Sequence, residues 1–234
     1  MTNRPRTAGR IPCLAESLQI GPGTGVMIWR LGPRVQCLSS AAVGGGLETP
    51  QWVMNIGVPK DYDRTDLHAH ANELASHYEL LGDGVGLFTA ANLANAAHQT
   101  VTVDDHQISV DATVGVSHPT WAAQINPPPV TSRTHPHIGT INIVIQMPLP
   151  LDPGAAVNLV MTSTEAKTQA LLDAGIPGTG TASDAVAVIW PIGPITIGFG
   201  GPRSYWGAAT ANGVYEAVRC GLTHHDPVSS EAKP

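Results

Sequence analysis

Two neighbouring stretches of this chain gather groups able to take, hold or deliver a proton. Glu165 and Lys167 lie in the run 152–174, which opens with Asp152-Pro153 and closes at Gly175 with Pro177 beyond. A carboxylate cap followed by proline starts a helix, and glycine followed by proline stops one. Two positions correspond to about 200° around an ideal helix. Glu165 and Lys167 therefore cannot serve one pocket unless the helix is distorted near the hydroxyl run Thr162, Ser163, Thr164. A loop follows at 178–184, G-T-G-T-A-S-D. Its glycines let the backbone approach a ligand closely, Thr179 and Thr181 add hydroxyls, and Asp184 closes the turn. An ordinary connecting turn uses the same residue types.

Other candidates are polar groups at the ends or in the middle of apolar segments. Ser39 and Ser40 precede the triple glycine 44–46, and Thr89 follows the apolar run 84–88. Asn55 and Asn142 sit within strand-like runs, V-M-N-I-G-V and I-N-I-V-I-Q-M. A buried amide needs partners, so each is either a satisfied core group or a ligand contact. The 10 histidines include two H-x-H patterns, His68/His70 and His135/His137. In an extended segment the second pair would share a face. His70, Glu73 and His77 share a helical face whose spacing could hold a metal, although a solvated face has the same pattern.

These residues need elements to hold them. Strand patterns cover 26–31, 35–39, 52–58, 84–88, 101–103, 108–116, 141–147, 185–189 and 195–199. Helix patterns cover 65–81, 152–174 and 204–221, started by Thr65, Asp152 and Ser204. In the second helix Val157, Met161, Thr164, Thr168 and Leu171 recur at helical spacing and are expected to face the core. Asn158, Thr162, Glu165 and Gln169 form the adjoining stripe, which puts Glu165 at the edge of burial. The proline-rich segment 126–134 reads as a surface loop and the candidate lid. Strands interspersed with three helices, without strict alternation, predict an α/β (α+β) fold. The expectation is a mixed or antiparallel sheet with helices packed on it.

Composition bounds the rest. The 234 residues are read as a single domain, 1–234, with polar tails at about 1–10 and 224–234. A net charge of -6 argues against nucleic acid as partner. No apolar run reaches the ~18 residues that cross a bilayer, and the first ten residues lack a signal-peptide core. Three widely spaced cysteines form neither a disulfide framework nor a zinc motif, which favours a reducing cytoplasm. Oligomerisation is left open.

Five segments then carry a resemblance: S-S-A-A-V-G-G-G at 39–46, V-G-L-F-T-A-A at 85–91, G-T-I-N-I-V at 139–144, T-E-A-K-T-Q-A-L at 164–171 and T-G-T-A-S-D-A-V at 179–186. In this order they resemble the adenosylcobinamide amidohydrolase family over about 39–222, and the last two are the most specific. Gly178 and Phe88 depart from the family pattern, which has Ala and Met there. The resemblance implies hydrolysis of the amide joining aminopropanol to the corrin ring, giving adenosylcobyric acid for coenzyme B12 salvage. The cobalt corrinoid would be substrate, with no cofactor or metal required.

Amide hydrolysis needs an activated nucleophile, donors for the tetrahedral oxyanion and a proton for the leaving amine. On that expectation Glu165 is the general base and His137 the acid or second base. The loop around Thr179 and Thr181 is the oxyanion site, and Asp184 orients one of these groups. Ser39, Ser40, Asn55, Thr89, Asn142 and Lys167 would contact substrate. Three alternatives stand beside this: a threonine nucleophile at Thr179 or Thr181 acting on this or another amide, a non-catalytic corrinoid-binding protein, and a metal hydrolase using the H-x-H pairs.

Overall fold

The structure, a computed structural model, describes residues 16–21, 24–124, 139–194 and 197–223. In chain order its strands are β1 (Glu16–Gly21), β2 (Thr24–Arg30), β3 (Val35–Ser39), β4 (Gly46–Glu48), β5 (Trp52–Gly57), β6 (Gly84–Thr89), β7 (Ala97–Val103), β8 (His106–Val114), β9 (Ile141–Gln146) and β10 (Ala185–Pro191). The helices are α1 (Leu67–His77), α2 (Pro153–Asp173) and α3 (Tyr205–Leu222).

The expected mixed architecture is present, built as two sheets rather than one. The first has the order β1-β2-β5-β6, the second β4-β3-β10-β9-β8-β7. Each holds one parallel pair, β5 with β6 and β9 with β10, among antiparallel neighbours. The β9–β10 pair is joined through α2, because parallel neighbours need a crossover.

Side-chain alternation turns the two sheets into four layers. In β8, Ile108, Val110 and Ala112 join the core formed with α2 and α3. The intervening Ser109, Asp111 and Thr113 point the other way, toward the first sheet. Met27, Trp29, Val53, Val85 and Leu87 of the first sheet meet Cys37, Val144, Ala187 and Ile189 of the second between the sheets. The outer face of the first sheet is covered by α1 through Ala71 and Ala75. The layer order is therefore α1, sheet, sheet, α2 with α3.

Several expectations change in detail. β4 falls where the sequence suggests only a glycine loop, and β1 lies in a stretch with no strand expectation. α1 ends at His77 rather than Leu81; Glu79 and Gly82 have φ of 54° and 70°, and Leu81 is exposed. Its N-cap is Asp66, with no side-chain capping bond, in place of Thr65. Of the expected strand 195–199, residues 195 and 196 lie outside the described set, and Ile197 makes a single parallel bridge with Leu151. The candidate lid at 126–134 and the polar tails also lie outside it.

The phase of α2 is the main correction. Val157 and Met161, expected in the core, are 49% and 55% exposed. Thr164 is exposed as well, and only Leu171 of that stripe is buried. The buried face is Ala155, Ala156, Leu159, Thr162, Ser163, Ala166, Lys167, Ala170 and Leu171. Small residues let α2 lie close to the sheet and to α3, and tight approach outweighs the area of larger side chains.

Candidate active site

Turning α2 on its axis decides the fates of Glu165 and Lys167. Glu165 is exposed, against the expected edge-of-core placement. Lys167 is 6% exposed and aims its ammonium inward. There Lys167 Nζ donates to Asp184 Oδ2 at 2.5 Å, with side chains 7% and 12% exposed. The helix is regular, so the separation of about 200° puts the two on different faces. The hydroxyl run does not distort it: Ser163 and Thr164 donate to carbonyls one turn back, Leu159 and Val160, and Thr162 donates to Gly200 O.

Asp184 ties the start of β9, helix α2 and its own loop together. Its Oδ1 accepts from Ile141 N at 2.9 Å and from Thr181 Oγ1 at 2.5 Å. Its Oδ2 accepts from Thr181 N at 3.0 Å and from Lys167. Two carboxylate oxygens offer about four acceptor sites, so Asp184 is filled. It can orient Lys167 and Thr181, but it has no lone pair left for a substrate proton. Lys167 has three donors and one acceptor among the described residues. Gly180 is required here: a Cβ at that position would lie 2.3 Å from Asp184 Oδ2 and 2.5 Å from Lys167 Nζ.

The loop itself is held by hydrogen bonds. Thr179 N donates to Thr120 O at 2.9 Å, and Thr120 N to Gly180 O at 2.8 Å. Thr179 Oγ1 donates to Thr120 O and accepts from Ala122 N, while its carbonyl accepts from Thr168 Oγ1. The amides of Thr179 and Thr181 are thus both engaged within the protein. Neither is free for the oxyanion role the sequence suggests.

The remaining expected contacts form a polar seam at the same end of the sheets, where β9 and β10 begin and β3, β5, β6 and β8 end. Ser39 Oγ donates to Val186 O, and Ser40 Oγ accepts from Val186 N. Asn142 Nδ2 donates to Asn55 Oδ1 at 2.8 Å and to Phe88 O at 3.0 Å. Asn55 Nδ2 donates to Thr113 Oγ1 across the sheets at 3.0 Å. Thr89, beside Phe88, accepts from Ala91 N. Thr140 and Ser183 share a 2.6 Å bond beside Asp184. Phe88 O fixes which atom of Asn142 is the nitrogen, and this leaves Asn142 Oδ1 buried with no partner. Ser39, Asn55, Thr89 and Asn142 are all buried. The expected residues thus gather at this end of the sheets, most of them engaged in hydrogen bonds within the protein. His137 and the His135/His137 pair lie outside the described residues.

A third polar group was not anticipated from the sequence. His98 Nδ1 lies 2.7 Å from Asp111 Oδ1, and His98 Nε2 lies 3.1 Å from Thr100 Oγ1. Trp29 Nε1 donates to Asp111 Oδ2 at 3.2 Å. The alternation of Ser109, Asp111 and Thr113 with apolar residues is the sequence signal that marks a polar inner face. His70 and Glu73, considered for a metal, pair instead with Tyr62 OH and Arg64. Burial of His70 favours its neutral form, so its pKa is lowered. No group of three metal-ligating side chains occurs among the described residues. No helix among them is long and apolar enough to cross a membrane.

Together these features describe an α+β sheet sandwich that carries its polar groups at one rim. The chain belongs to the adenosylcobinamide amidohydrolase family, whose model matches residues 14–230. It is 32% identical over 207 residues to the adenosylcobinamide amidohydrolase of Halobacterium salinarum, covering 86% of this chain and 85% of that protein. With the protein of the same name from Methanosarcina mazei it shares 28% over 192 residues, 78% of this chain and 86% of the other. The crystal structure of the PH0078 protein from Pyrococcus horikoshii OT3 aligns with a TM-score of 0.44 at 11% identity, covering 92% of this chain and 83% of that one.

Proposed function

We propose that this protein hydrolyses the amide between aminopropanol and the corrin ring of adenosylcobinamide, releasing adenosylcobyric acid. The observation that carries this is the family match across 14–230. Water is the co-substrate, the cobalt belongs to the substrate, and no separate cofactor takes part. The site of action is the cytoplasm, as the cysteine usage favours.

Within this reading Lys167 is a substrate contact. Its buried ammonium has three donors and one acceptor among the described residues, which suits a carbonyl or carboxylate oxygen of the corrinoid. Asp184 is its positioning residue, and Gly180 lets the pair approach the loop backbone. Thr181 has its hydroxyl proton committed to Asp184 but can still accept a hydrogen bond. The test is aminopropanol release from adenosylcobinamide by the purified protein, with and without chelator. Release at an unchanged rate in chelator supports the reading; corrinoid binding without release would replace it with a binding role.

A further inference from the structure

Among the described residues, the carboxylate of Asp184 has its acceptor sites filled, and Glu165 is exposed on another face of α2. The structure does contain an acid–base arrangement elsewhere. We propose that His98, oriented by Asp111, is the general acid–base of the reaction and that Thr100 is the nucleophile it activates. This rests on the amide-hydrolysis reading above.

Sheet geometry produces the arrangement directly. His98 and Thr100 are two apart on β7 and share its inner face, and Asp111 of β8 stands opposite His98 in the register. The carboxylate accepts only, so His98 Nδ1 carries the hydrogen toward Asp111 Oδ1, and Nε2 presents its lone pair to the Thr100 hydroxyl. Trp29, from the facing sheet, holds the other carboxylate oxygen and stops Asp111 rotating away. Burial grades outward along the series: the Asp111 side chain is 7% exposed and His98 40%, and Thr100 is open to solvent. A nucleophile, a base and a third group that orients the base, in that geometric order, is how such a relay is recognised on any fold.

A second feature points to the same place. β7 is the edge of its sheet, and its outer side pairs with no strand among the described residues. Alternate backbone N–H groups along this edge therefore have no strand partner among the described residues, and such groups can stabilise an oxyanion.

The chemistry balances. His98 Nε2 takes the Thr100 hydroxyl proton as Oγ bonds to the acyl carbon. The tetrahedral intermediate collapses, the C–N bond breaks, and the amine leaves with that proton. Water, deprotonated by His98, then attacks the ester. Thr100 departs and regains its proton, leaving the carboxylic acid and neutral His98.

The experiment uses the full-length protein, adenosylcobinamide and the variants Thr100→Ala, Thr100→Ser, His98→Gln and Asp111→Asn. Thr100→Ala and His98→Gln are expected to lose at least ~10³-fold in kcat with little change in KM and wild-type melting temperatures. Thr100→Ser should recover most of the loss, which a merely structural threonine would not predict. Asp111→Asn should lower kcat by ~10⁴-fold through the wrong imidazole tautomer. Near-normal kcat in Thr100→Ala would overturn the proposal. If the wild type releases no aminopropanol, the amide reading fails by itself. Mapping after exposure to p-nitrophenyl acetate then decides the relay: acetyl on Thr100 that disappears in His98→Gln upholds it, and its absence overturns it.

Discussion

At the scale of single residues, the Lys167–Asp184 ion pair offers a direct reading of what locks the loop. Removing one partner strands the other inside the protein, which typically costs 3–5 kcal/mol for a buried pair. Both side chains keep some exposure, so Lys167→Met should cost about 3 kcal/mol, read from urea unfolding. Gly180→Ala should cost about 2 kcal/mol by overpacking, because its Cβ meets two atoms pinned by their mutual bond. Urea midpoints within experimental error of wild type would show that the pair does not lock the loop. Cys37 offers a pH test. Burial pushes its thiol from 9.0 up to about 12 in the folded protein. The unfolded thiol ionises first, so stability should fall as pH rises from 9 to 12 and should not depend on this group below 9. Cys37→Ala should flatten that slope; an unchanged slope would assign it to other groups. The exposed Cys220 should react with a thiol reagent at pH 8 while Cys37 stays protected.

At the scale of elements, the face of α2 is testable by substitution. Met161→Lys replaces a 55% exposed side chain and should change stability by less than about 0.5 kcal/mol. Ala170→Leu adds bulk against a fully buried position and should cost about 1–3 kcal/mol. The opposite ranking in thermal melts would restore the stripe read from the sequence. That stripe failed for a physical reason: periodicity weighted by size picks out Val157 and Met161, whereas close helix packing selected Ala166 and Ala170. The ends of α2 were legible because caps are local, and Asp152 does accept from Gly154 N. The glycine–hydroxyl loop and its link to β10 were legible for the same reason. Lys167 with Asp184 was not, since their pairing depends on the helix phase. His98 with Asp111 was hidden too, because strand register is a long-range property absent from local pattern.

At the scale of the whole molecule, the four layers place the described candidate groups relative to two sheets. Asn55, Thr113, His98 and Asp111 lie between the sheets, whereas Lys167 reaches the rim from the helix side. On the proposed reading, one group holds the corrinoid and the other carries out the reaction. Lys167→Met should then act mainly on KM and His98→Gln mainly on kcat, a split that steady-state kinetics on the two variants can resolve. Amide hydrolysis is tested most directly by the product formed when the wild-type protein is incubated with adenosylcobinamide. Free aminopropanol and adenosylcobyric acid are expected in equal amounts, under conditions of many turnovers. Recovery of intact adenosylcobinamide, bound or unbound, would contradict it.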